Sequence, residues 1–430
     1  MTPLALSGDV LQTKAAPAPE ALRTRLMVEP PRAVGTSVLP DEDAAHAEAE
    51  AVAAGIPADL LRRYGATVRQ TNQRAHVVVL DVPADQQAAL VAALAARGIV
   101  ARPPLPVQPM LNESVPFLHV PAVWKAGFDG HGIRVAIVDT GIDATHPDLK
   151  DRIAAMSDFT GAGGAVDGNA KDDVGHGTHV AGTVAGGGSV YRGVAPGATL
   201  VIAKALSAAG GTEDAVLAAM SWASKQQVQV MNLSLGGPGS PTSPLSREVD
   251  ALAAEGIIVC VAAGNAGPAA KTISSPGDAK GALTVGAADK TGALAFYSSR
   301  GAVPGVRYSK PDLTAIGGGV TQGAACAYGT GVASARAAVL AQDPCGVPPR
   351  YVRMSGTSMA TPHVAGICAL LLQAIGDDRA SAVAHADRVR KALLASARAM
   401  RGTKKSESGA GLVDAERALA SLRPKRRAAA

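Results

Sequence analysis

Ile133-Arg134-Val135-Ala136-Ile137-Val138-Asp139-Thr140-Gly141 is a short apolar run that ends on a carboxylate and turns at a glycine. A strand wetted on one face alternates apolar and polar side chains. A run that is apolar nearly throughout fits a strand covered on both faces. Residues 200–203, 228–233, 257–263 and 283–286 repeat the pattern, and the stretches 212–225 and 246–255 between them have helical character. Buried strands alternating with helices predict an α/β fold, a parallel sheet with helices on both faces. In such sheets functional residues gather beyond the carboxyl ends of the strands, which singles out Asp139.

Upstream the pattern changes. Residues 1–24 are Ala/Pro-rich and aperiodic and read as a mobile tail. Between 25 and 110, strand-like runs near 24–29, 66–70, 76–82 and 98–102 enclose two helical stretches. One covers 41–54; the other is opened by Pro83-Ala84-Asp85 and runs to Arg97. A β-α-β-β-α-β order predicts a small α+β domain of ferredoxin-like type. Pro103-Pro104-Leu105-Pro106 marks a linker, because adjacent prolines continue neither helix nor sheet. The large domain then spans 111–421, and 422–430, with Lys425-Arg426-Arg427, reads as a solvated basic tail.

Composition bounds the function. With 430 residues, 47% of them hydrophobic, and a net charge of only +5, the chain buries a sizeable core and is not disordered in the main. Aromatic residues at 3% argue against a base-stacking nucleic-acid platform. No uncharged apolar run reaches the roughly 18 residues a spanning helix needs, so no membrane span is expected. Cys260 and Cys368 sit in apolar runs and read as small buried hydrophobes, whereas Cys326 and Cys345 lie in a loop-like segment and are candidates for pairing. The start, Met1-Thr2-Pro3-Leu4-Ala5-Leu6, has no basic-then-apolar leader. That points to the cytoplasm, or to secretion where the start is incomplete.

Three segments carry chemistry. Asp139 ends its strand at Thr140-Gly141. Gly175-His176-Gly177-Thr178-His179 opens a small-residue helix. Ser355-Gly356-Thr357-Ser358-Met359-Ala360-Thr361-Pro362-His363 places a serine at the start of an apolar helix. A serine hydroxyl is a poor nucleophile at neutral pH and needs an adjacent base. That base in turn needs a carboxylate to fix its tautomer. Asp139, His176 and Ser358 supply the three types. Each alone has a plainer reading: a turn aspartate, a pair of metal-binding histidines with His179, a helix cap. The H-E-x-x-H zinc pattern is absent, and three plain readings at once would be three coincidences.

These segments resemble the signature motifs of the subtilisin family of serine endopeptidases, over residues 112–419 and including Gly409-Ala410-Gly411-Leu412-Val413-Asp414. The resemblance implies a subtilisin-like fold and a hydrolase with Ser358 as nucleophile, His176 as general base and Asp139 as its orienter. It implies Asn265, in Val261-Ala262-Ala263-Gly264-Asn265, as an oxyanion donor beside the Ser358 backbone N–H. Ser234, Leu235 and Gly236 would pair with a substrate strand, Gly210 and Gly211 would flank it, and Ala262, Ala263, Gly264 and Ser274 would line a pocket for a neutral or apolar P1 side chain. No cofactor is implied for the chemistry. Asp148 and Glu113 stand where family calcium ligands would be, although the loop 186–192 is short for a calcium site. The N-terminal domain resembles the family's inhibitory propeptide, an intramolecular partner cut off near Met110-Leu111-Asn112. The expected protein is a monomeric zymogen acting on proteins or peptides. A catalytically dead relative is disfavoured because all four chemical positions are filled. A lipase or esterase would need G-x-S-x-G with its serine first in the chain.

Overall fold

A computed structural model describes residues 23–31, 37–38, 44–72, 77–102, 113–161, 165–319, 330–343, 347–376 and 379–422. The tail 1–22, the linker prolines, the cleavage segment Met110-Leu111-Asn112, Cys326, Cys345 and the end from 423 lie outside the described residues. The chain divides into two compact units, Met1–Gln108 and Pro109–Ala430.

The first unit runs β1 (Arg23–Glu29), β2 (Ser37–Val38), α1 (Ala44–Ala53), α2 (Ala58–Arg63), β3 (Thr67–Asn72), β4 (Val77–Pro83), α3 (Gln87–Ala95) and β5 (Val100–Arg102). The sheet order is β2-β3-β4-β1-β5, with antiparallel pairing throughout. Register sets Leu26 opposite Leu80 and Val28 opposite Val78, so one face of the sheet presents aliphatic side chains to Ile56, Leu60, Leu61, Leu90 and Leu94. Three details differ from expectation. The two-residue strand β2, paired with β3 at the sheet edge, adds to the expected β-α-β-β-α-β order and is too short to show a pattern in the sequence. The helix expected from Pro83 starts at Gln87, because the Gln86 N–H turns back to the Pro83 carbonyl and leaves Asp85 in a turn. The six-residue α2, entered through Pro57, is too short to declare itself by periodicity.

The second unit opens with α4 (Ser114–Phe117) and α5 (Val120–Lys125). Its sheet contains β6 (Arg134–Asp139), β7 (Ile153–Asp158), β8 (Val166–Asp167), β9 (Thr199–Lys204), β10 (Val230–Leu233), β11 (Ile258–Ala262), β12 (Leu283–Ala288) and β13 (Leu313–Ile316). The order is β13-β12-β11-β10-β6-β9-β7-β8, parallel except for the edge strand β8. Successive residues of a strand face opposite sides, and the core divides accordingly. Val135 and Ile137 join Leu200, Ile202, Val230 and Cys260 against α6 (His176–Ala185), α9 (Thr357–Ile375), α10 (Ala382–Ser396) and α12 (Ala415–Leu422). Ala136 and Val138 join Val201, Ala203, Met231 and Val261 against α7 (Glu213–Lys225) and α8 (Pro244–Ala254). A strand buried on both sides has no polar face to show, which is why these segments read as apolar runs.

The antiparallel pair β14 (Val332–Ala335) and β15 (Tyr351–Met354) leads into α9, with α11 (Lys405–Ser408) near the end of the chain. By length and composition α9 is apolar enough to cross a membrane, yet most of its apolar surface is buried in the core. Cys260 and Cys368 are buried free thiols.

Candidate active site

β6 lies at the centre of the sheet. The chain leaves it for β7 on one side and returns as β10 on the other. Such a reversal opens a crevice at the carboxyl ends of the strands. Asp139, the last residue of β6, is fully buried there. Its Oδ1 accepts the Thr140 N–H at 2.7 Å and the His176 Nδ1–H at 2.7 Å, while Oδ2 has no hydrogen-bond partner.

His176 is placed by the first turn of α6. Asp172, 3% exposed, accepts five hydrogen bonds there. Thr140 Oγ1, the Val174 N–H and the Gly175 N–H donate to its Oδ1, at 2.9, 3.0 and 2.7 Å; the Thr178 N–H and Oγ1 donate to Oδ2 at 2.9 and 2.6 Å. A helix start leaves unpaired N–H groups, and a carboxylate satisfies them while complementing the positive end of the dipole. The Gly177 N–H reaches back to Thr140 Oγ1 at 2.8 Å, so strand end and helix start are stitched together. No side chain fits at Gly177, because a Cβ would lie 2.2 Å from the Gly141 carbonyl oxygen. Sequence reasoning passed over Asp172. The available signal was an acid four residues before the histidine, and Asp173 beside it confused that signal. Asp173 pairs instead with Lys204 at 2.7 Å.

Burial alone would lower the pKa of His176, but the charge and hydrogen bond of Asp139, helped by Asp172, outweigh it and hold the ring above its ordinary value. About a quarter of the side chain, 26%, stays exposed to the cleft. His179 on the same helix is fully buried, donates its Nε2–H to the Val332 carbonyl at 2.9 Å, and is pushed down to about 3 chiefly by desolvation. It stays neutral and structural.

Ser358 is the second residue of α9. Its hydroxyl donates to the Ser234 carbonyl at 3.0 Å rather than to His176, and Ser234 Oγ donates to the Ser358 carbonyl at 2.8 Å. Asn265 follows β11. Its Oδ1 accepts both the Thr357 N–H and Oγ1, each at 2.9 Å, so its NH₂ is the end left over to donate.

One cleft of about 710 Å³ joins these groups: His176, Ser358 and Asn265 line it with Ser234, Leu235, Gly236, Gly210, Gly211, Ala262, Gly264 and Ser274. Gly236 and Gly264 pack so closely on Ser274 Oγ that a Cβ on either would lie 2.5 or 2.8 Å from it. Ala263 departs from expectation. It is fully buried, is not part of the lining, and acts through its carbonyl, which accepts the Ser274 N–H at 3.0 Å. Gly237, which continues the expected substrate-pairing segment, also lines the cleft, and Thr140, Val174, Leu206, Thr212, Glu213, Val216, Pro238, Leu245 and Thr357 complete the wall and were not anticipated.

Asp148 and Glu113, the candidate calcium ligands, each have a protein partner. Tyr351 Oη donates to Asp148 Oδ2 at 2.8 Å, and Glu113 pairs with Lys290 at 3.0 Å. Among the described residues no three His, Cys, Asp or Glu side chains gather to hold a metal.

The chain belongs to the subtilase family: the sequence profile described as Subtilase family matches residues 130–413. It is 36% identical over 298 residues to the serine protease AprX of Bacillus subtilis (strain 168), covering 62% of this chain and 63% of AprX. Subtilisin DY of Bacillus licheniformis is 36% identical over 263 residues, covering 60% of this chain and 83% of that protein. Subtilisin Savinase of Lederbergia lenta is 37% identical over 268 residues, covering 61% and 85%. Among solved structures, a protease of Pseudoalteromonas arctica PAMC 21717 superimposes with a TM-score of 0.60 at 28% identity, covering 74% of this chain and 100% of the other. The expected subtilisin-like α/β fold therefore stands. The chain spans less than two thirds of the length of AprX.

Proposed function

We propose that this subtilase is a serine endopeptidase hydrolysing peptide bonds of proteins through an acyl-enzyme. The observation that carries the reading is the buried 2.7 Å contact from His176 to Asp139 beside a cleft shared with Ser358 and Asn265. Asp139 holds Nδ1 protonated, which leaves Nε2 as the basic nitrogen. Ser358 Oγ turns from the Ser234 carbonyl towards His176, gives its proton to Nε2 and attacks the scissile carbonyl. Catalytic hydrogen bonds commonly tighten only when substrate is bound. The negative charge that develops on the carbonyl oxygen takes hydrogen bonds from the Asn265 amide and the Ser358 backbone N–H. As the intermediate collapses, His176 returns the proton to the leaving amine; water then enters with His176 again as base and releases the acid and Ser358. The slot around Ser274, Gly236, Gly264 and Ala262 is neutral and suits an apolar or uncharged P1 side chain.

The N-terminal unit, a five-stranded antiparallel sheet with three helices, is the enzyme's own inhibitor, removed by cleavage near Leu111. A phosphonate probe labels the active protein on Ser358, and labelling is lost in both Ser358→Ala and His176→Ala. Labelling that survives in Ser358→Ala removes the assignment. N-terminal sequencing of active protein finds a start close to residue 112; an intact chain in the active fraction refutes the processing step.

A further inference from the structure

The cleft has two walls of different chemistry. One is the neutral slot packed around Ser274. The other is aliphatic: Leu206, Val216, Leu235 and Leu245 all line the cleft and belong to the apolar cluster on the α7 and α8 side of the sheet. Glu213, the first residue of α7, lines the cleft with them and is exposed. Among the described residues it is the only carboxylate in the lining, which holds no lysine or arginine.

Acids in a first helical turn have a structural explanation, since they complement the dipole. Asp214 fills that role: the Thr212 side chain hydrogen-bonds its carboxylate and holds its pKa below the usual range. It faces an adjoining hollow, not the cleft. Glu213 makes no side-chain hydrogen bond or ion pair among the described residues, so its charge is presented to whatever occupies the cleft.

We infer that Glu213 is a specificity-determining residue that favours substrates carrying lysine or arginine on the acyl side of the scissile bond, upstream of the residue seated against Ser274. This rests on the peptidase reading above. Both side chains have a long apolar stem and a charged head. The stem lies along Leu206, Val216, Leu235 and Leu245, and the head meets the Glu213 carboxylate at the solvent edge. Because Glu213 is exposed, the pair is worth about two- to fivefold in kcat/KM, the range of a solvated ion pair. That preference shrinks with salt, since the screening length falls from about 10 Å at 0.1 M to about 3 Å at 1 M.

The test is a peptide series with leucine at P1 and lysine, glutamine, norleucine or glutamate placed two, three and four residues before the scissile bond. It is read as kcat/KM with enzyme produced from the full chain. At one position lysine exceeds glutamine and norleucine and glutamate falls below both. The lysine-to-glutamine ratio drops towards one in Glu213→Gln, persists in Asp214→Asn, and in the unmodified enzyme falls between 0.1 and 1 M salt. A series cut with no charge preference, or a preference that survives Glu213→Gln or high salt, overturns the inference and leaves the peptidase reading intact. Absence of any Ser358-dependent cleavage overturns both.

Discussion

Replacing Asp172 by asparagine tests whether the active site is held by one buried carboxylate. The native side chain accepts five hydrogen bonds from Thr140, Val174, Gly175 and both donors of Thr178. Asparagine has one acceptor oxygen and turns an NH₂ towards the remaining donors. At least the two bonds on the Thr178 side, or the three on the other, are lost. Hydrogen bonds to a charged group contribute about 1.5–3 kcal/mol each, so the expected loss is about 3–6 kcal/mol. For a unit spanning Pro109–Ala430 that is a fall in Tm of roughly 1.5 °C per kcal/mol. Melting is measured in a Ser358→Ala background so that self-digestion does not set the apparent midpoint. The second readout is kinetic. Asp172 is one of the charges that raise His176, so its neutralisation moves the acid limb of the kcat/KM profile to lower pH. Thr140 and α6, which align His176 with Asp139, also loosen, and kcat falls more than KM rises. A variant with wild-type Tm and an unmoved acid limb refutes the idea that Asp172 positions the histidine.

In the proposed mechanism only the neutral ring accepts the serine proton, so activity should be gained as pH rises through the folded pKa of His176, above the ordinary 6.5. Stability runs the other way: the contribution of a raised histidine is fully present below its unfolded pKa and is lost as pH rises through the folded one. An acid limb in kcat/KM at or below an ordinary histidine value would contradict the Asp139 contact. Asn265→Ala should lower kcat by about 10²–10³ with little change in KM, a range measured in subtilisin itself and not worked from this structure. An unchanged kcat would remove Asn265 from the oxyanion site. Gly177→Ala forces a Cβ to 2.2 Å from a backbone oxygen and should cost about 1–3 kcal/mol of stability. It should also lower kcat at least tenfold, because strand end and helix start must separate; a fully active variant would show that the junction has slack.

The sheet was legible because burial on both faces writes itself into composition. β6 and β9 needed no long-range information to be recognised, only the absence of a polar face. The small first unit was legible for a related reason: β1 alternates, so Leu26 and Val28 point inward while their neighbours stay more exposed. What escaped depends on which of two similar neighbours the fold buries. Asp172 and Asp173 are indistinguishable in the chain; one is buried under α6 and the other is half exposed against Lys204. Ala262 and Ala263 are likewise identical residues at the end of β11, and only the first faces the cleft. β14 and β15 are as short as β10 but escaped because Ser334 and Arg353 interrupt their apolar runs. The Ser358 hydroxyl illustrates a further limit. Residue type marks a candidate nucleophile, but its rotamer, here directed to the Ser234 carbonyl, is set by the surroundings. Chemistry that depends on residue type can thus be proposed from the chain, because serine, histidine and aspartate have few substitutes in those roles. Support by a particular buried partner cannot, because the energy of a hydrogen bond to Asp172 exists only after Thr140, 32 residues away, has arrived beside it.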